Sequence, residues 1–356
     1  MTRVTHNIMT GNTQQKTAWV LVNVGTPGST STRSVKKYLR EFLDDPKVID
    51  LPFLLRKFLV HAIIVPFRSP RSAKKYEQIW TGDGSPLLVH MNNLVQKIKA
   101  MAPVGTDVFG LMRYGQPALK GFLQNLSEKQ YSEVVVMPLY PQYADSTTGS
   151  VEQLVAAIRT QSDKNTSIRI IDQFYDHPGF VASFAERIRT HDPSAFDHVL
   201  FSYHGLPLRQ LKKVHPNQPV AGCSCHQQMP DHGHHCYRAT CYATTRQLAA
   251  AAGIVPDRCS TSFQSRLSRN WMTPFTDATL VRLAAEGNKK VLVVPASFVA
   301  DCLETTLEIG IEYRELFIEN GGEELVMAES LNSSDRWTET VKDLFSGKSA
   351  GTAAGR

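Results

Sequence analysis

The sequence predicts a doubly wound α/β protein in two halves, each a parallel sheet flanked by helices. Three observations predict it. Six apolar runs read as buried strands, at 18–29, 108–114, 132–140, 167–174, 197–204 and 289–298. Helical patterns lie between them, at 116–126, 151–161, 178–190, 244–253 and 303–321. Strands that alternate with helices build parallel sheets. The polar residues with chemistry sit directly after strand runs, where open α/β sheets bind ligands.

The first strand run is AWVLVNV, ended by Gly25, Pro27 and Gly28. Its unbroken apolar character is that of a strand covered on both faces. The loop Gly25-Thr26-Pro27-Gly28 lacks the GxGxxG spacing, so it gives no support to a dinucleotide site. Residues 51–76 mix bulky apolar groups with Arg56, Lys57, Arg68, Arg71, Lys74 and Lys75. They read either as an amphipathic helix with a basic face or as a greasy lip that meets a bilayer or a hydrophobic ligand. The remaining strands end in VFGLMRY, VVVMPLYPQY, LFSYHGLP and LVVPASFVADCLE. The arrangement predicts one cleft fed by both halves, which divide near residue 165. Residues 1–16 and 347–356 read as loose tails.

Composition narrows the function. The chain has 356 residues, enough for two domains, and 42% are hydrophobic and 20% charged, which excludes a disordered or fibrous chain. The net charge of +6 is too small to argue for nucleic acid. The richest apolar stretch, 58–67, is far shorter than a membrane span needs. Residues 1–16 lack an apolar signal core, so a cytoplasmic, reducing environment is expected.

Two motifs carry the chemistry. His204 follows a strand and precedes Gly205 and Pro207, which fix a turn at the cleft mouth. A neutral imidazole there accepts a proton or binds a metal. The segment Asp301-Cys302-Leu303-Glu304 leads into Glu308 and Glu312, carboxylates spaced four apart on one helical face. Such a row is either a solvated acidic face or a path that passes cations or protons inward from a cleft. Arg113-Tyr114 and Tyr140-Pro-Gln-Tyr143 end two other strands. Arg holds carboxylates and Tyr lines flat aromatic ligands.

Cys223, Cys225, Cys236 and Cys241 crowd into one short segment, which points to a metal or cluster site rather than to disulfides. Four thiolates at this spacing suit zinc or a [2Fe–2S] cluster. His226, His232, His234 and His235 are competing ligands that keep zinc open. Cys259 and Cys302 stand alone and read as buried small hydrophobes.

Taken together, VLVNVGTPGS, FSYHGLP, SFQSRLSRNWMTPFTDATL and VPASFVADCLETTLEIGIEYRELF resemble ferrochelatases. The likeness runs over about residues 18–345, in the family's order. It implies insertion of ferrous iron into protoporphyrin IX to give protoheme and two protons. It also implies two Rossmann-like domains, 17–165 with 317–346 and 166–316, with the lip at 51–76 in the first and a cysteine-rich insert at 215–242 in the second. By this resemblance His204 and Glu304 form the pair that binds iron or abstracts protons. Asp301, Glu308 and Glu312 match the acidic row, which in the family often includes a π-type stretch. Arg113, Tyr114, Tyr140 and Trp271 match porphyrin-pocket positions, and the lip implies peripheral contact with the inner membrane.

Some bacterial ferrochelatases resemble this chain in carrying a [2Fe–2S] cluster on an internal four-cysteine segment. An animal-type cluster is excluded, because Asp145 stands where that type has a cysteine. Cys302 replaces a histidine that many relatives carry, so a second imidazole beside Asp301 is missing. Val24 replaces a Met or Tyr of some relatives, so no ligating side chain is available there. Two other readings stand beside this one: a chelatase for another tetrapyrrole such as coproporphyrin, and a non-catalytic porphyrin or iron sensor.

Overall fold

The computed structural model describes residues 16–159, 166–215, 220 and 223–347. The expected tails lie outside these residues except for Lys16 and Gly347.

The first half runs β1 (Thr17–Thr26), α1 (Thr32–Leu43), α2 (Phe53–Phe58), α3 (Val65–Ile79), α4 (Pro86–Met101), β2 (Thr106–Gly115), α5 (Leu119–Gln124), β3 (Glu133–Pro138), α6 (Thr148–Arg159) and β4 (Ser167–Ile170). Helix α7 (Pro178–Thr190) crosses over. The second half runs β5 (His198–His204), α8 (Leu208–Lys212), α9 (Tyr237–Ala252), β6 (Cys259–Gln264), α10 (Thr276–Ala285), β7 (Lys290–Val294), α11 (Arg314–Glu319), β8 (Glu324–Met327) and α12 (Asp335–Ser346). Two π-helical stretches interrupt this pattern, Leu59–Ile64 between α2 and α3 and Leu303–Tyr313 before α11.

Each half holds a four-stranded sheet, in the orders β2-β1-β3-β4 and β6-β5-β7-β8, and every strand pairing is parallel. The two orders are the same. In each, the chain leaves its first strand to one side and returns to pair on the other. The switch points lie between β1 and β3 and between β5 and β7, where open sheets part at their carboxyl ends to admit ligands.

The buried runs explain themselves. Ala18 through Val22 of β1 and Val291 through Val294 of β7 are all buried, as strands covered on both faces must be. Strands β6 and β8 carry no long apolar run and are not expected from hydropathy. Both are edges. In β6 three of the four buried residues are polar, and their side chains are paired: Thr261 donates to Thr245, Ser262 shares a 2.9 Å hydrogen bond with Thr276, and Gln264 accepts from Ser202. Gly25 has φ +117°, and a Cβ there would lie 1.8 Å from the Tyr114 carbonyl oxygen, so only glycine fits where β1 meets β2.

Two expected boundaries move. Strand β4 pairs with β3, so the first sheet extends past residue 165. Strand β8 pairs with β7, so residues 324–327 belong to the second sheet, and the return toward the first half begins with α12. That helix buries Trp337 against Phe174 and Phe180. Its Phe345 stacks on Trp19 of β1 with ring centroids 4.9 Å apart. Lys97 of α4 pairs with Asp335 at 2.6 Å.

The 51–76 segment is not one amphipathic helix. Pro66 has no N–H and its ring crowds the preceding turn, so the helix widens to π geometry before it.

His198 gives the fold an acid-sensitive point. The ring is buried, its Nε2 lies 2.7 Å from Ser260 Oγ, and burial lowers its pKa to about 4. In the unfolded chain a histidine titrates near ~6.5. Between these values the unfolded state binds the extra proton, so stability is full above about pH 6.5 and falls as pH drops toward 4. Urea unfolding at pH 7 and pH 5 should show a smaller acid loss for His198→Asn than for the wild type. An equal loss in both would show that His198 is not the source.

Candidate active site

His204 closes β5 at the second switch point and is half-buried. Its backbone N–H donates to Ser297 Oγ at 3.1 Å. Its ring Nδ1 lies 2.8 Å from the Gly205 carbonyl oxygen. A carbonyl can only accept, so Nδ1 carries the proton and Nε2 keeps its lone pair. Trp271 and Phe298 flank the ring, each with its centroid 6.4 Å away. Trp271 is placed by pairing with Pro207 across the loop.

Glu304 lies in the first turn of the second π stretch. Its charge reaches Tyr76 of α3 and Tyr38 of α1, whose hydroxyls are pushed up chiefly by burial and further by Glu304. Those tyrosines belong to the first half, so Glu304 faces across the cleft. Val24 packs on the buried cluster that Leu303 also covers and on the Leu87, Ala300 and Cys302 cluster that Phe298 also covers, where the two halves meet. The Cys302 thiol is raised by burial and by a hydrogen bond to Glu304, and stays a neutral donor.

One residue not singled out from the sequence joins the two motifs. Gln264 pairs with His204 across the β5–β6 ladder and is buried. Its side-chain oxygen accepts from Ser202 at 2.7 Å. Its amide donates to the Glu304 carbonyl at 2.9 Å and to Glu308 at 3.3 Å. Its backbone carbonyl accepts from Gly205 N–H at 2.8 Å. A glutamine in a polar edge strand gives no hydropathy signal.

The carboxylates of the expected acidic row have separate partners. Glu308 is saturated by Gln264, by Ser265 N–H and hydroxyl at 2.8 and 2.5 Å, and by the Tyr313 hydroxyl at 2.7 Å. Glu312 pairs with Lys75 of α3 at 2.6 Å. Asp301 is buried and accepts from Thr305, Ser330 N–H and Asn332, which locks the loop ahead of the π stretch. His90 of α4 lies within electrostatic reach of Asp301, and burial holds its pKa below the usual value.

In the first half, Arg113 donates from Nε to Ser150 Oγ at 2.8 Å and from Nη2 to Asp45 at 2.6 Å. Asp45 also accepts from Tyr114 at 2.9 Å and from Ser150 at 2.7 Å. The expectation of Tyr114 against a ligand is corrected: it is 1% exposed, beneath Arg113, whose guanidinium stacks 4.6 Å from its ring. Tyr140, just past β3 at the first switch point, is half-buried, with its hydroxyl raised by burial.

The cysteine insert packs behind His204. All four thiols are free and buried. Burial pushes the Cys225 thiol up to about 11, while Arg238 opposes it by donating to its sulfur at 3.1 Å. Arg238 also bonds Cys223. The thiols are buried beside a guanidinium that offsets thiolate charge, and Cys223 lies with His215 and His232 in a group whose ligand atoms are within 4.8 Å of one another. His215 Nε2 lies 3.4 Å from Cys236 Sγ, and His232 Nε2 lies 3.7 Å from Cys223 Sγ. Tyr237, next to Cys236, donates to the His204 carbonyl at 2.9 Å.

Comparison with known proteins agrees with this geometry. The family model described as "Ferrochelatase" matches residues 16–349. A ferrochelatase from Pseudomonas putida is 41% identical over 333 residues, covering 92% of this chain and 98% of its own. One from Opitutus terrae is 42% identical over 320 residues, covering 88% of this chain and 92% of its own. Among solved structures, SirB from Bacillus subtilis, described with Fe3+, aligns over 94% of this chain and 96% of its own, with TM-score 0.50 and 10% identity, a likeness of fold. The chain belongs to the ferrochelatase family, enzymes that insert metal into a porphyrin to form heme.

Proposed function

We propose that His204 and Glu304 carry the insertion of ferrous iron into protoporphyrin IX. The observation that supports this most is the fixed tautomer of His204. With Nδ1 bonded to the Gly205 carbonyl, Nε2 is the atom that can take a pyrrole proton. Glu304, whose charge reaches Tyr38 and Tyr76 of the first half, receives protons or guides iron. Imidazole and carboxylate suit ferrous iron without the tight grip of a thiolate site, so the metal is released to the macrocycle. Tyr140 and Trp271 line the porphyrin, and Arg113 keeps Nη1 for a ligand while Tyr114 and Asp45 fix its plane. Asp301, Glu308 and Glu312 position the π stretch rather than relay protons.

Anaerobic loss of protoporphyrin fluorescence on adding ferrous iron, with heme bands appearing, measures the reaction. His204→Ala should lower kcat by roughly 10²–10⁴-fold. Glu304→Gln should lower it by about 100-fold or more, with the melting temperature unchanged. Near-native turnover in either variant would remove that residue from the chemistry. Coproporphyrin run in parallel distinguishes the tetrapyrrole alternative.

Cys223, Cys225, Cys236 and Cys241 are assigned to a [2Fe–2S] cluster, which when bound supplies a rigid crosslink and a one-electron redox centre. Metal insertion needs no net electron transfer, so the role is structural or sensory. The mixed trio His215, Cys223 and His232, with ligand atoms within 4.8 Å of one another, favours zinc as the second reading. A brown protein whose visible absorption bleaches on reduction supports the cluster. A colourless protein with one zinc per chain overturns it.

The lip supports peripheral contact with an anionic membrane. Phe53, Leu54, Leu55, Phe58 and Phe67 are between 51 and 79% exposed, beside Arg68, Arg71 and Lys74. No described helix is long and apolar enough to cross a membrane. Burying one phenylalanine contributes about 1.5–3 kcal/mol. Phe58→Ser with Phe67→Ser should weaken sedimentation with anionic vesicles by at least about tenfold. Unchanged sedimentation would show that the lip does not touch lipid.

A further inference from the structure

One cluster of carboxylate and imidazole lies outside the machinery above. Asp172, just past β4, meets His234 and His235 from the turn before Cys236, and one ligand atom from each lies within 4.8 Å of the others. His235 Nε2 is 2.7 Å from Asp172 Oδ2. The other oxygen, Asp172 Oδ1, is buried and has no hydrogen-bond partner among the described residues. The His234 and His235 rings lie 4.6 Å apart, and Tyr143 packs on His235 at 4.8 Å. Gln173 fixes the turn by donating to the His234 carbonyl at 2.8 Å.

Asp172, His235 and Tyr143 border a cavity of about 480 Å³. Glu152 lines it too, held by the Tyr143 hydroxyl, and its carboxyl is raised by burial and then by the charge of Asp172. Asp145, which also lines the cavity, takes ion pairs from Lys47 and Lys213. Asp172 has only His235 as an ion-pair partner among the described residues. An ordinary His–Asp pair accounts for Oδ2 but not for the unpartnered Oδ1 or for a second imidazole against the first.

We propose that Asp172, His234 and His235 form an exchangeable site for a divalent first-row transition ion, with Glu152 as a further anionic group facing it. Two imidazoles and a carboxylate suit Fe²⁺, Co²⁺ or Zn²⁺ better than Mg²⁺ or Ca²⁺, which prefer all-oxygen sets. The site uses no sulfur and is distinct from the four thiols, although the same short turn carries both ligand groups. Its cavity shares Leu206 and Tyr237 with the loop that holds His204. The ion class is that of the reaction's own metal substrate.

The test is equilibrium dialysis and visible spectroscopy of the as-isolated full chain with Co²⁺. The double variant His234→Ala with His235→Ala should bind one equivalent fewer than the wild type, while absorption from the group on the four cysteines stays the same. The lost equivalent should show cobalt d–d bands without a sulfur-to-cobalt charge-transfer band. Asp172→Asn, which leaves both imidazoles, should weaken that equivalent at least tenfold. Equal stoichiometry and affinity in wild type and double variant would overturn the site. So would a lost equivalent that carries the sulfur band, because the ion would then sit on the thiols.

Discussion

The cleft depends on one buried amide. Gln264 stands opposite His204 in the sheet and spends its side chain on the π stretch that presents Glu304. Removing it would leave the Ser202 hydroxyl and the Glu304 carbonyl without their partner in a dry interior, where each unmade bond costs about 1–3 kcal/mol. Because the same residue takes Gly205 N–H on its backbone, it also sets the turn after His204. His204 and the π stretch that carries Glu304 are therefore tied to one strand edge, although the two residues stand a hundred apart in the chain.

A second network does the same for the first half. Asp45 gathers Arg113, Tyr114 and Ser150 around a single carboxylate oxygen. Its charge is balanced by the guanidinium and its lone pairs are filled, which is what a buried carboxylate requires. The outcome is a rigid guanidinium plane near Tyr140. Glu308 plays a comparable part in the second half, saturated by four donors from three residues.

The sequence made the sheets legible where the strands are apolar on both faces, as in β1, β3, β5 and β7. It was silent on β6, where Phe263 is the lone large apolar residue among buried Ser, Thr and Gln paired by hydrogen bonds, because hydropathy sees burial only through apolar residues. His204 and Glu304 were visible from the turn residues and apolar flanks around them. Gln264 and Asp45 were not, since a lone polar residue shows its importance only when its partners from distant segments are in place. The spacing of Glu304, Glu308 and Glu312 pointed to a shared face but not to their partners, since Ser265, Tyr313 and Lys75 reach Glu308 and Glu312 only through the fold. Tyr114 looked like a ligand-facing aromatic and is instead the floor beneath Arg113.

Helix α12 has a consequence for how the protein is made. Among the described elements it is the last to leave the ribosome, yet it stacks Phe345 on the first strand and ties α4 to its own start through Lys97 and Asp335. Both sheets can complete their strand pairing before it exists, since β8 precedes it. The nascent chain can thus hold two finished sheets that are not yet clasped together. A greasy, photoreactive macrocycle would then find its full grip only on a chain whose synthesis has passed this final latch.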